Sequence, residues 1–451
     1  MALDVNKIAN EIMQHINNVR VDVEPSPKQA SIFKVPEDLR SGSEDAYTPS
    51  LISIGPIHHD KEKLKPMEGE KSKYLKYFLQ RRSSEGQVQH YLEIYLAMIY
   101  LKEDEIRSYY SDTFPMDKAE FVRMILFDAI FITELFLRKQ KGHEFHDDPL
   151  FTRTRIKKTI ERDLLLIENQ IPYFVLDDLY HLIPWNTSEG HSSFMELSRN
   201  YFKRYDPFPH KSITDINKGN MLKQGWEKPN HFTDLIRHLF VPQDLCRDDD
   251  LAPIIKTATR LRKAGITFES VSERCLLDIR FEKNAVTNCL SWFLCCSRCL
   301  RARMQIPKLV VDGSTESIIR NLMAFEQCYY PNHHYVCNYV ALIAYLIHNE
   351  QDVNVLVEDE VIEHEMGSDE KLASLITTLC KNIVINSSCY ASLSKKMDEY
   401  YHNPFNNNCA ALRLVYFRNL WRSIGTVVGI VVFIIFGFVA FYKNMKDLLK
   451  H

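Results

Sequence analysis

Nineteen consecutive residues without a charge, Ile424 to Tyr442 (IGTVVGIVVFIIFGFVAFY), constrain this chain more than any other stretch. A helix on the surface of a globular domain carries a polar stripe along its length, and this run has none. At ~1.5 Å per residue it extends about 28 Å, close to the hydrocarbon thickness of a bilayer. Arg413, Arg418 and Arg422 come before it, and Lys443, Lys446 and Lys450 after it. The stretch reads as a single-pass transmembrane helix at 424–442, led into by a juxtamembrane helix at 411–423 and followed by a short basic tail at 443–451. Gly425 and Gly429 lie one turn apart within it, with Gly437 two turns further along the same stripe. Small-residue faces let membrane helices approach closely, so a homodimer packed through these glycines is the expected assembly.

That reading makes the remainder a large domain at a membrane surface. Hydrophobic content of 45% supplies a core, and 25% charged residues suit a folded protein. A net charge of −3 leaves no basic footprint for nucleic acid. The opening MALDVNKIANEIMQHINNV lacks the basic and apolar regions of a secretory signal. With nine residues after the span, the expected topology is a tail anchor with the large domain in the cytosol. All eleven cysteines lie at or after Cys246, which suits reduced thiols better than a disulfide framework.

The expected organisation is mainly α, a large multi-helix domain with a few short strands. Residues 1–30 form an amphipathic segment with Ile8, Ile12 and Ile16 four apart. The main domain covers 31–410, opening with turn-rich extended pieces to residue 60. Helices follow at Lys71–Arg82, Val88–Leu101, Pro115–Lys139 and Arg155–Asn169, each placing apolar residues at three- and four-residue steps. Pro172 breaks the last of these, and a further apolar helix runs to Leu182. Residues 183–230, with Pro207, Pro209, Gly219, Gly225 and Pro229, read as a subdomain boundary. Beyond it, helices are expected at Pro253–Ala264, Thr315–Gln327, Val336–Asn349, Asp369–Ile383 and Tyr390–Tyr401, with Ser368 placed to cap the fourth. Strands are expected at Ile266–Phe268 and Lys308–Val311. A last helix from Asn408 should run into the span.

Several phrases resemble one plant family, the membrane-associated proteins with domain of unknown function 247. They are IFKVPEDLR (Ile32–Arg40), AYTPSLISIGPIHH (Ala46–His59), LKPMEGEKSKYL (Leu64–Leu75) and RDLLLIENQIPYFVLDDLY (Arg162–Tyr180). LRKAGITF (Leu261–Phe268), IPKLVVDGSTESIIRNLMAFEQC (Ile306–Cys328), GSDEKLASL (Gly367–Leu375) and YFRNLW (Tyr416–Trp421) follow in the family's order. The resemblance implies a mostly helical protein with one C-terminal span and no established catalytic residues or cofactor. Some family members sit at grass self-incompatibility loci, and others are linked to defence or development. This sequence departs from the family at Asp60, at Met124–Leu135, which lacks the usual Gly-Cys-Phe, and at a cysteine-rich excess, 282–305.

Candidate chemistry is sparse. His58 and His59 are adjacent in an extended segment, so they face opposite ways and suit a structural hydrogen bond better than a shared metal. Cys295, Cys296 and Cys299 lie among Trp292, Phe293 and Leu294 and beside Arg298, Arg301 and Arg303. That setting makes them candidate acylation sites; a zinc site needs a second matching pair. Asn169 and Gln170 should satisfy backbone groups freed by Pro172. Asp177 and Asp178 face differently on a helix, Asp312 ends a strand and caps a helix, and Cys328 is expected in the core. No nucleophile elbow, Walker A, dinucleotide or kinase signature occurs. No catalytic, cofactor-binding or metal residue is assigned, and no cofactor is expected. The leading expectation is a membrane-anchored, non-enzymatic plant protein acting by protein–protein recognition or signalling, in self-incompatibility, reproduction or defence. The alternative is a membrane-surface enzyme without a familiar motif. A deep pocket containing several buried titratable groups with strongly shifted pKa values would favour the enzyme, and a flat or grooved apolar patch the recognition protein.

Overall fold

The computed structural model describes residues 30–82, 87–142, 148–183, 192–212, 215, 228–245, 254–283, 302–381, 383–385, 387–416 and 420–448. These divide into two units. The first comprises residues up to Lys203 together with Trp226–Arg237 and Ser317–Asn332. Its helices are α1 (Glu37–Arg40), α2 (Pro66–Arg82), α3 (Val88–Leu101), α4 (Glu103–Ser108), α5 (Lys118–Lys141), α6 (Pro149–Thr152), α7 (Thr154–Asp163), α8 (Tyr173–His181) and α9 (Phe194–Tyr201). Most of α10 (Phe232–Phe240) and of α12 (Thr315–Tyr329) also belongs to it.

Helix α5 is the axis of this unit. Asp117 caps it by accepting the Glu120 N–H at 2.8 Å. From Phe121 to Arg138 nearly every side chain is buried, so the helix is enclosed on all faces rather than half-solvated. Helices α2, α3, α8 and α9 pack around it. Phe136 stacks on Tyr201 at 4.1 Å and lies parallel to Phe194 at 6.1 Å, with Phe202 edge-on and Phe232 tilted against it. Burying a ring of that size contributes about 2–3 kcal/mol.

The helix expected at Arg155–Asn169 stops at Asp163. Residues 164–170 leave the helix because their carbonyls are claimed by side chains, as described below. Helix α10 carries no expectation from the sequence; it is amphipathic but short, with Pro229 and Pro242 on either side.

The second unit holds Arg204–Gly225, His238–Glu316 and the chain from His333 onward. After α11 (Ala258–Lys263) come β1 (Ile266–Val271), β2 (Arg280–Lys283), β3 (Ala302–Pro307) and β4 (Leu309–Val311). Further on are α13 (Tyr335–Leu346), α14 (Glu350–Glu358), β5 (Ile362–His364), α15 (Asp369–Leu379), α16 (Ala391–His402), α17 (Pro404–Tyr416) and α18 (Leu420–Leu448). Strand β3 lies between β1, which is parallel to it, and β2, which is antiparallel. A second, two-stranded parallel pair joins β4 to β5 with Leu309 opposite Ile362.

The excess at 282–305 acquires a place here. Glu282 and Lys283 end β2, Ala302 to Gln305 begin β3, and Lys283 pairs with Ala302. The additional sequence therefore leaves and re-enters at one end of a hairpin, where lengthening a loop costs little because closure entropy grows only logarithmically.

The helix expected at Val336–Asn349 ends at Leu346, and α14 begins again after Asn349. Asn349 Oδ1 accepts the Gln351 and Asp352 N–H groups at 2.9 and 3.2 Å, which makes it a helix start rather than a helix interior. Ser368 caps α15 by accepting the Lys371 N–H at 3.3 Å.

One part of the expected fold is corrected. Among the described residues no helix is long and apolar enough to cross a membrane, so the transmembrane helix at Ile424–Tyr442 and the anchor built on it are withdrawn. The amphipathic segment expected at 1–30 lies almost wholly outside the described residues. Mainly helical with a few short strands is the architecture that stands.

Candidate functional site

The densest polar assembly in the first unit is built from the phrases that carry the family resemblance. At its centre is the turn after α7. Asp163 accepts the N–H groups of Ser50 at 3.0 Å, Leu51 at 2.7 Å and Ile52 at 3.1 Å, and the Arg162 guanidinium at 2.8 Å. Asn169 continues along the same segment. Its Oδ1 accepts the Ile54 N–H at 2.7 Å, and its Nδ2 donates to the Ile52 carbonyl at 3.0 Å and the Asp163 carbonyl at 2.9 Å. Gln170 Nε2 donates to the Leu164 and Leu166 carbonyls at 2.7 and 2.8 Å, while its Oε1 accepts the Phe232 N–H at 3.0 Å. These amides do satisfy main-chain groups, but those of the turn itself and of remote segments rather than the ones freed by Pro172.

Two ion clusters flank this turn. Lys71 of α2 is fully buried, 2.5 Å from Asp128 of α5, 2.6 Å from Glu68 and 2.6 Å from the Ser53 carbonyl. Burial alone would push its ammonium down, but the two carboxylates reverse this and hold it protonated. Asp128 also accepts the Gly55 N–H at 2.8 Å. Gly55 has φ +71°, and a Cβ there would collide with the Gln170 carbonyl, so only glycine brings the chain this close.

On the other flank Glu168 accepts the Val35 N–H at 2.8 Å and the Arg40 guanidinium on one oxygen. Its second oxygen lies 3.0 Å from His58 Nε2, off the line of a well-aligned hydrogen bond. Burial tends to raise the Glu168 carboxyl, but His58, Arg40 and the Val35 N–H outweigh it and hold it below the usual range. Burial pushes the His58 imidazole down, favouring the neutral ring. Burial also pushes the Asp163 carboxyl up against its main-chain donors. Both oxygens of Asp128 and Asp163 accept from this chain's own N–H groups and cations, and Glu168 does so through one oxygen while the other faces His58 at 3.0 Å. The assembly pins residues 50–55 to α5 and to the turn after α7.

The other singled-out residues are dispersed. Asp177 faces Lys228 at 2.8 Å and Asp178 faces Lys102 at 2.6 Å, so the neighbours have separate partners. Glu326 is buried with Arg237 at 2.9 Å, and Cys328 is exposed on α12 rather than in the core. Asp312 accepts the Ser314 N–H at 2.9 Å and the Arg204 guanidinium at 2.8 Å, which overcome burial and hold its carboxyl low. Gly425, Gly429 and Gly437 all lie on α18 with nothing within 4 Å of where a Cβ would stand. Cys295, Cys296 and Cys299 lie outside the described residues. Among the described residues no group of three or more His, Cys, Asp and Glu side chains is placed to hold a metal ion. In the second unit an open groove of about 670 Å³ runs along α15, lined by His348, Asn349, Glu350, Glu370, Ser374 and Lys381 among others.

The sequence reading missed Lys71, Asp128, Asp163 and Glu168. Lys71, Asp163 and Glu168 lie in family phrases, but Lys71 also pairs with Glu68 three residues away and Asp163 with Arg162, so local position alone does not mark them.

Comparison with known proteins bears on the same phrases. UPF0481 protein At3g47200 of Arabidopsis thaliana is 28% identical over 423 residues, covering 88% of this chain and 82% of its own length. Putative UPF0481 protein At3g02645 of the same plant is 21% identical over 511 residues, covering 93% of this chain and 91% of its own. No solved structure matches. The family described as plant protein of unknown function, DUF247, matches residues 32–435 and so takes in the whole pinned assembly, and the chain belongs to that family.

Proposed function

We propose that this protein is a non-enzymatic recognition module that works by contact with another plant protein, in reproduction or defence. The supporting observation is the direction in which the family's charged residues point. Asp163, Glu168 and Asp128 are aimed at main-chain N–H groups of residues 35–55 and at cations of the same chain. Used this way, carboxylates fix the path of an irregular segment, and irregular segments on rigid supports are where binding surfaces are commonly carried. The role in reproduction or defence is supported by family membership alone.

Cross-linking in plant cells followed by mass spectrometry tests the reading. A reproducible protein partner, with cross-links concentrated on one face of the chain, is the expected result. A chain that cross-links no protein above background yet turns over a metabolite in purified form would overturn it.

A further inference from the structure

We propose that the outer flank of α3 is a docking surface for the chain's own amino-terminal segment, residues 5–19, which lies outside the described residues. The contact is internal to the chain and independent of its partners. Helix α3 is apolar at every position but Gln89, His90 and Glu93, yet only Tyr95 and Ile99 are buried, where it packs on α5 and its neighbours. A helix apolar on nearly all sides belongs in an interior, and this one keeps a free flank. Tyr91, Ile94, Met98 and Leu101 recur along it at steps of three, four and three, half-buried at first and 84% exposed at Leu101. Ala97, exposed, and Tyr100, 53% exposed, widen it. That spacing is the seam against which a second helix packs.

Pattern, length and tether identify the occupant. Val5, Ile8, Ile12, Ile16 and Val19 recur at steps of three and four, while Asn6, Lys7, Asn10, Glu11, Gln14 and Asn18 fall on the opposite side. At ~1.5 Å per residue the segment as a helix spans about 22 Å, against about 21 Å for α3. The chain joins the first unit beside the same helix. Ile32 donates its N–H to the Tyr109 carbonyl at 2.9 Å and accepts the Ser111 N–H at 3.0 Å. Tyr109 directly follows α4, which itself starts two residues after Leu101, so the point of attachment lies within about 20 Å of the last turn of α3. Residues 20–29, with Pro25 and Pro27, reach up to about 33 Å when extended, enough to bring residues 5–19 onto the flank. A second copy is the weaker occupant, because a stable interface between separate molecules takes roughly 20–30 residues a side and this flank offers far fewer. A tethered segment meets the flank at an effective concentration on the order of millimolar, so a contact this small suffices within one chain.

The test places the photo-cross-linking residue benzoylphenylalanine at position 101 of the full chain, where the exposed Leu101 tolerates it, and maps the cross-links by mass spectrometry. Cross-links to residues 5–19 of the same chain are expected, with a yield that holds over about a hundredfold dilution, as a tethered contact requires. Ile12→Asp, in the middle of the apolar stripe, should lower that yield about tenfold or more, and the milder Ile12→Ser several-fold. Glu11→Gln, on the polar side of the segment, should leave it unchanged. Circular dichroism of each variant separates a lost contact from a lost fold. Cross-links between two copies that grow with concentration would assign the flank to a second molecule and overturn the proposal. A yield indifferent to Ile12→Asp, an equal loss in Glu11→Gln, or no cross-link to residues 5–19 would overturn it as well.

Discussion

In the first unit, carboxylates and amides close contacts across long stretches of chain: Asp163 reaches Leu51 112 residues away, Asn169 reaches Ile54 across 115, and Glu168 reaches Val35 across 133. In the second unit the same side-chain types mostly finish the helix beside them. Ser368 reaches three residues to Lys371, Asn349 two to Gln351 and Asp312 two to Ser314. Asp352, which reaches Thr259 across 93 residues, and Asp312 and Glu358, which hold Arg204 and Arg262 from distant segments, are exceptions there. A local cap replaces water on one orphan donor and closes no loop. A remote pin must offset both its own desolvation and the ordering of the segment it holds, so removing it should cost far more.

The largest expected effect is at Asp163. Asp163→Ala leaves the Ser50, Leu51 and Ile52 N–H groups without their acceptor inside the protein, and should cost about 3–5 kcal/mol in urea unfolding. A loss below about 1 kcal/mol would mean that the pinned segment finds other partners, and the contrast between the units would break.

An intermediate effect comes from pH. The folded-state value of His58 lies below its ordinary 6.5, so the unfolded chain takes up the proton first. Stability contributed there is complete above about 6.5 and drains away as pH falls through the depressed value. Glu168, held below its ordinary 4.5, adds a second loss as pH falls from there through its own lowered value. In His58→Gln the first loss should vanish and the second remain, read from melting temperatures between neutral pH and the carboxylate range. An unaltered slope in His58→Gln would show that the ring's burial does not set the acid response.

The smallest effect is at the local cap. Ser368→Ala should cost about 1 kcal/mol, confined to α15 and visible as faster amide exchange in its first turn. A cost matching that of Asp163→Ala would erase the distinction from the other side.

The same distinction governs how much was legible beforehand. Helix α3 falls at the expected Val88–Leu101, and α5 within a few residues of its expectation, since apolar period and end signals are read within one helix. Ser368 was legible as a cap for the same reason. The end of α7 was not, because the groups that pull residues 164–170 out of the helix point at Ile52 and Phe232. Nor was β3: Ala302 to Gln305 read as part of an excess loop, although they form the middle strand of a sheet whose two neighbours both come earlier in sequence. At the candidate site the two histidines, Asn169 and Gln170 could be singled out by type and position, whereas Lys71 and Asp128 looked like ordinary helix charges until 57 residues of chain brought them together.

The amino-acid sequence by itself determined the helical periods, several caps, the apolar composition of α18 and membership of the family. These depend on neighbours within a few positions or on the order of short phrases. Tertiary structure alone decided which charges are buried, that Gly55 passes against the Gln170 carbonyl, and that Glu168 gathers Arg40 and His58. The physical reason is that a buried ion is tolerable only where its partners are already fixed, and those partners come from segments whose meeting no local pattern records.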